Sequence, residues 1–402
     1  MGVEWINFSM SELGNCYSGL SGKNANDFGE GNSRYIPFLN VLNNDVINPS
    51  FLDVVNVGTN EKQNKVKEGD LFFNTSSETP EEVGMCAALN DELADTYLNS
   101  FCFGFRLFSN EAVPNYLAYY FNSEFGRQNI QALAQGSTRF NLSKSSFLKM
   151  QIPLPPLPEQ QAIVEVLESF DEHINNLHAL IAKKHAIRTG ALEDLMSRRV
   201  RVDGFSGEWE TIKLGLKGSF TKGAPLSKAS ISREGRPLIL YGELYTAYSE
   251  VTNKIINKTT FPVSDCHISR KGDVLIPSSG ETAEEIATAT CVMLDGVALA
   301  GDLFIFRSKS FDGRFLSYVL NHLVNYDISK IAQGSTIIHL RSNELEHLDV
   351  PLPALGEQRA IAEVLTSLDE EIEVLEAERG KWQQVRAGAM GDLLSGKVRL
   401  GG

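Results

Sequence analysis

Two stretches of the chain carry apolar side chains at alternating four- and three-residue steps. In the first, Ile163, Leu167, Phe170, Ile174, Leu177 and Ile181 form a seam, continued less regularly by Ile187, Ala191 and Leu195. The second repeats the step with Ile361, Leu365, Leu368, Ile372 and Leu375, then Trp382, Val385, Ala389 and Leu393. That spacing is the heptad signature of a helix that pairs with another helix. It predicts a helix over 159–197 and a counterpart 198 positions later. Pro158 in the first turn followed by Glu159 suits a helix start, because the helix N-terminus favours negative charge. A helix of about 39 residues spans roughly 58 Å at 1.5 Å per residue. The simplest closed arrangement is an antiparallel pair with a globular part at each end.

Outside these arms the pattern changes to short β-like runs. Tyr35–Leu39, Asp70–Phe73 and Phe101–Phe108 recur in the second half as Pro237–Tyr241, Asp273–Ile276 and Leu303–Phe306. Gly69-Asp70 and Gly272-Asp273 have turn chemistry just before a strand. Amphipathic helices are predicted at Asn115–Ala134 and Gly313–Ala332. The expected fold class is therefore mixed α/β (α+β): two pseudo-repeated globular parts joined by two long helices in an antiparallel coiled coil.

The pseudo-repeat is explicit. From Ala134 and from Ala332 the chain reads Ala-Gln-Gly-Ser-Thr, then Leu142 or Leu340, then Pro-Leu-Pro at 153–155 or 351–353. Glu159-Gln160 or Glu357-Gln358 follows, and each copy closes on Val-Arg at 200–201 or 398–399. The offset stays at 198 without a gap, and close to half the positions are identical. Self-similarity of this kind marks an internal duplication. A weaker match at offset 203 aligns Gly69-Asp70 with Gly272-Asp273, and Ser76-Ser77-Glu78-Thr79 with Ser279-Gly280-Glu281-Thr282. The resulting domain plan is 1–152, arm 153–203, 204–350 and arm 351–402. Divergence between the anchors, around 15–65 and 216–268, suggests one scaffold reading two different things.

Composition adds bounds. No run of about 18 apolar residues is present, so no membrane span is expected. The start of the chain lacks the basic and apolar regions of a signal peptide. Five cysteines (16, 86, 102, 266 and 291), never spaced CxxC, point to a reducing cytoplasm and to no zinc site. Net charge is −14, which speaks against autonomous nucleic-acid binding. The balance is uneven: residues 1–158 hold 10 basic and 17 acidic side chains, residues 204–356 hold 15 and 17.

Candidate chemistry follows from these anchors. Gly136 and Gly334 suit helix termination, while Ser137, Thr138, Arg139 and Asn141, or Ser335, Thr336, His339 and Arg341, could reach a phosphate or base edge. Ser76, Ser77, Ser278 and Ser279 allow the same two readings. Lys213, Lys217, Lys222, Lys228, Arg233 and Arg236 form a basic stretch opposed only by Glu234: a solvated loop or a phosphate-contacting edge. There is no GxxxxGK[ST], no GxGxxG after a strand, no HExxH and no Asn-Pro-Pro-aromatic motif, so no catalytic residue and no metal ligand is assigned.

The globular module, the Pro-Leu-Pro-Pro-Leu-x-Glu-Gln lead-in, the heptad arm and Val200–Trp209 opening the next module resemble the DNA specificity subunit of type I restriction-modification systems. The resemblance covers essentially the whole chain. It implies two target recognition domains, each reading half of a split duplex DNA site, and two helices that fix the spacer and dock two methyltransferase subunits. Restriction subunits would join that core. It also implies that S-adenosylmethionine, ATP and Mg are held by partners, and that this subunit is non-catalytic. The acidic first part would then rely on neutral donors beside Lys23 and Arg34, such as Asn24, Asn26, Asn40, Asn43 and Asn44, with Tyr241 added to the second part. A coiled-coil scaffold with two protein-binding modules and no DNA role is the alternative.

Overall fold

A computed structural model of the chain describes residues 4–334 and 337–400. Contacts divide it into two compact units: residues up to His178 together with those from Ala377 onward, and residues Ala179–Glu376. Two 40-residue helices, α1 (Leu157–Met196) and α2 (Leu355–Leu394), each contribute one segment to each unit.

The first unit is built on the antiparallel strands β1 (Gly14–Ser18), β2 (Leu71–Asn74), β3 (Cys86–Ala88) and β4 (Cys102–Leu107), in the order β1-β4-β2-β3. On its inner face Phe73 stacks on Phe103, and Phe147 from the short helix Lys144–Lys149 meets Phe73, Phe103 and Phe105 tilted or edge-on. The helix Pro114–Asn122 covers them with Leu117 and Phe121. A separate three-stranded sheet pairs Phe28–Ile36 with Asp53–Val55 and Thr96–Leu98.

The second unit repeats the frame. Its sheet uses β5 (Gly218–Lys222), β6 (Asp273–Pro277), β7 (Thr290–Val292) and β8 (Leu303–Ser308) in the order β5-β8-β6-β7, extended by Val251–Thr252. In both units the Pro-Leu-Pro lead-in is a true strand. Gln151–Leu154 lies antiparallel to Ile6–Ser9, and Asp349–Leu352 to Glu210–Lys213. Such two-stranded ribbons tolerate proline because only one edge of the strand must donate.

The arms pair antiparallel within each unit. In the first, Phe170 meets Trp382 with ring centroids 5.9 Å apart, and Asp171 meets Arg386. In the second, Lys184 meets Glu371 at 2.6 Å and Arg188 meets Asp369 at 2.8 Å. Ile163, Leu167, Leu177, Ile181, Ile361, Leu365 and Ile372 are buried, while Phe170, Ile174, Leu368, Leu375 and Trp382 are half-buried. The expected seam fails at two equivalent positions. Ile187 and Val385 are 43% and 42% exposed, and the next residues, Arg188 and Arg386, turn inward. Each guanidinium serves a carboxylate on the facing helix and one on the globular part (Asp369 and Glu250, Asp171 and Asp45). Counted on from Ile181 and Leu375, the alternating steps reach Arg188 and Arg386 themselves. Ion pairs thus occupy the seam positions while Ile187 and Val385 lie one residue outside them, and Leu192, Leu195 and Met196 or Met390, Leu393 and Leu394 are buried at the ends of the arms.

Two predicted helices are also broken. Asn115–Ala134 resolves into Pro114–Asn122 and Glu124–Leu133, and its counterpart into Gly313–His322 and Asn325–Ile331. Ser123 is extended, and its hydroxyl accepts from the Gly126 amide at 3.1 Å, capping the second helix. Gly126 is required there: a Cβ would lie 1.9 Å from the Tyr120 carbonyl oxygen. The run Tyr35–Leu39 likewise divides, the strand ending at Ile36 and a short helix, Phe38–Leu42, following Pro37.

Candidate nucleic-acid interface

Two motifs that stand about 60 residues apart in sequence are brought together in each unit. In the first, Phe140-Asn141 pairs antiparallel with Ser76-Ser77; in the second, Ile338-His339 pairs with Ser279-Gly280. In the first unit the Gln135–Thr138 segment forms the hairpin that delivers this strand, and in the second unit Gln333 and Gly334 enter the equivalent turn. Gln135 and Asn141 exchange backbone hydrogen bonds at 3.0 and 2.8 Å, as do Gln333 and His339 at 2.9 and 2.8 Å. Gly136 and Gly334, at φ +130° and +146°, turn the hairpin, and a Cβ on either would meet a carbonyl oxygen (Arg139 or Ile337) within 2.0–2.1 Å. Helix termination is not their role. The preceding helices close on Ala134 and Ala332 in extended conformation, two residues earlier.

The hairpins present small polar and basic side chains outward. Ser137, Thr138, Arg139, Asn141, His339 and Arg341 are exposed, whereas Ser335 and Thr336 lie outside the described residues. Beneath them Ser76, Ser77, Ser278 and Ser279 are buried, and the Ser77 hydroxyl donates to Glu82 at 2.8 Å. Arg127 anchors the loop behind Ser77 by donating to the Gly84, Val83 and Glu81 carbonyls; burial pulls its guanidinium down to about 10. The serines therefore shape the base of the site, and the hairpin tips carry its exposed donors.

The remaining candidates scatter. Asn24, Asn26, Asn43 and Arg34 are exposed, with Asn24 capping a 3-10 turn by accepting from the Asn26 amide at 3.0 Å. Arg34 lies on the rim of a pocket of about 530 Å³ that also holds Glu92 and Asp95. Lys23 is held inside, donating to the Asn56 carbonyl and Glu61 at 2.6–2.7 Å with only 4% of its side chain exposed. Asn40 is fully buried, its amide donating to the Asn48 and Phe51 carbonyls, and Asn44 donates to Asn40. Both asparagines build a loop, and Asn40, which also accepts from the Asn48 amide, has no amide edge left for a base.

The basic stretch does not form one patch. Lys213 pairs with Asp349 at 2.6 Å, and Lys217 and Lys222 flank opposite ends of β5. Lys222 lies over the Phe304 ring, and its carbonyl oxygen meets the His267 Nδ1 at 2.8 Å. Lys228, Arg233, Arg236 and Tyr241 are exposed on and beside Arg236–Ile239 and the turn before it. Lys217 instead joins Arg270, Lys271 and Lys309 around a pocket of about 520 Å³. Those three cations sit some 50 to 90 residues further on, and only the turn position before Gly272-Asp273 hinted at two of them.

Both units are fastened to the arms by one device. Glu159 takes Arg399 in a fork at 2.6 and 2.7 Å, and Glu357 takes Arg201 at 2.6 and 2.9 Å. Gln160 and Gln358, alongside, accept from the Val113 and Asp312 amides at 2.9 Å and donate to Pro155 and Pro353. The Arg399 guanidinium holds the Glu159 carboxyl below its usual range.

Comparison with known proteins agrees with this architecture. The family model for the type I restriction modification DNA specificity domain matches twice, over residues 3–184 and 207–381. The type I restriction enzyme MjaVIII specificity subunit of Methanocaldococcus jannaschii is 24% identical over 291 residues, 67% of each chain. The StySPI specificity subunit of Salmonella potsdam is 25% identical over 193 residues, 45% of this chain and 41% of its own. In fold, the chain is similar to the crystal structure of a type I restriction-modification S subunit from M. genitalium, with a TM-score of 0.63 at 17% identity. That likeness covers 97% of this chain and 96% of the other.

Proposed function

Because the chain belongs to the type I restriction-modification DNA specificity family, we propose that it is the non-catalytic subunit that reads a bipartite duplex site, one half through each unit. Two methyltransferase subunits dock on the paired arms, and restriction subunits join through them. Methyl transfer from S-adenosylmethionine and ATP-driven, Mg-dependent cleavage belong to those partners, in the cytoplasm. The observation that carries this reading is the matched pair of serine-backed hairpins: each unit builds the same support, and the exposed side chains differ (Arg139 and Asn141 against His339 and Arg341). A fixed support with variable donors is what reading two different half-sites requires.

Exchange of residues 1–150 for those of another specificity subunit tests it. Genome-wide methylation mapping should show one half-site changed and the other kept. A change in both halves, or none, overturns the modular reading. Duplex affinity that is independent of salt in the complex with the methyltransferase would favour the scaffold alternative.

A further inference from the structure

The second unit holds an open pocket of about 520 Å³ where the start of β5, the turn before β6 and the end of β8 converge. Lys217, Arg270, Lys271 and Lys309 line it, all four exposed. Among the described residues, none of these four side chains has a carboxylate partner. The pocket's one acid, Asp273, is buried and committed to Arg307 in a fork at 2.9 and 2.8 Å. That pair forms a neutral floor, and Arg307 also donates to the Ile268 carbonyl at 2.7 Å. The rim is fixed as well. Ser308 donates to the Lys217 carbonyl at 2.5 Å, and the Gln358 amide to the Ser310 carbonyl at 3.1 Å.

The first unit has the same floor without the net positive charge. Asp70 and Arg106 form the equivalent fork at 2.7 and 2.6 Å. Strand register and the 203-residue offset place Leu13, Lys67, Glu68 and Phe108 where the second unit has Lys217, Arg270, Lys271 and Lys309. One acid, one base and two apolar residues replace four cations. Retained scaffold with altered charge marks a surface serving a contact that only one unit makes.

We infer that this pocket anchors backbone phosphates of duplex DNA on the second unit only. The inference rests on the DNA reading proposed above. Four unpaired cations around a neutral, rigid floor suit a repeating phosphate chain, because ammonium and guanidinium donors bind its oxygens without regard to base sequence. An acidic protein surface fits less well: Leu216 is the pocket's one apolar side chain, whereas protein contacts centre on buried apolar anchors.

The test measures the Kd of the complete subunit, bound to its methyltransferase, for a duplex carrying the mapped target across a salt series. Each phosphate contact adds about 0.9 to the slope of log affinity against log salt. Replacing Lys217, Arg270, Lys271 and Lys309 with Gln should lower that slope by about 2–4 and leave the methylated sequence unchanged. Four contacts correspond to roughly 100-fold of the affinity lost between 50 and 200 mM salt. The single variant Lys309→Gln, on an exposed turn, keeps the test valid should the quadruple variant misfold, and should lower the slope by about 0.9. Unchanged slopes with intact binding overturn this inference alone. Unchanged slopes with loss of the methyltransferase make the pocket a protein contact and also overturn it. No salt-dependent binding by the unsubstituted complex overturns the DNA reading beneath it.

Discussion

Arg399 closes a two-point fork on Glu159, 240 positions earlier in the chain, with contacts of 2.6 and 2.7 Å. Arg201 does the same to Glu357. The Glu-Gln that opens each arm is thus met by the Val-Arg that closes the other, and the guanidinium also lies over a tryptophan, Trp5 or Trp209. The carboxylates are buried while the arginines are part-exposed. Arg399→Ala should therefore cost more than Glu159→Gln, because it strands a buried charge. The same order is expected for Arg201→Ala against Glu357→Gln. Urea unfolding of the full chain checks this; equal costs for the two partners would contradict it.

A second carboxylate gives the second unit an acid-sensitive join. Burial alone would raise Glu250, but His322 at 2.5 Å and Arg188 at 2.9 Å hold it down to about 2. A carboxyl with a lowered folded value stabilises the fold above its unfolded value and loses that contribution as pH falls through the folded one. Stability should thus fall between about pH 4.5 and 2. In Glu250→Gln that acid limb should be shallower, and thermal melts across this range decide it.

Gly136 tests the hairpin directly. Its φ of +130° and the 2.0 Å approach of a Cβ to the Arg139 oxygen make Gly136→Ala strained, by about 1–3 kcal/mol. Since Ser137, Thr138 and Arg139 sit on that turn, methylation should be lost at the site whose half the first unit reads. Gly207→Ala, with open space around its Cβ position, should leave both stability and methylation unchanged. Equal behaviour of the two variants would remove the hairpin from recognition.

Much of this architecture was legible because burial imposes a period. The arms announced themselves through Ile163, Leu167, Ile361 and Leu365, and the inner strands through Phe72 and Phe304. Legibility failed where a polar group took an inward position. The spacing places Arg188 and Arg386 on the seam, but the apolar residues that suggest its continuation, Ile187 and Val385, stand one position earlier, and only the ion pairs with Asp369 and Asp171 make a charge fit there. Asn40 resembled a base reader in sequence, yet its partners are the carbonyls of its own loop. The charge cluster around Lys217 was likewise invisible, since three strand ends distant in sequence must converge to make it.

The proposed reading makes the arms the determinant of half-site spacing, which an insertion can test. Four residues continue a helix by slightly more than one turn and about 6 Å, so the facing side chains nearly keep their phase. Inserting them after His178 in α1 and after Glu376 in α2, the points where each helix passes between units, leaves Arg386 and Arg188 with their partners. The recognised half-sequences should stay the same, and the spacer between them in the methylation map should lengthen. Insertion in α1 alone should misalign the pair and abolish methylation. An unlengthened spacer after the double insertion would show that something other than these helices sets the distance.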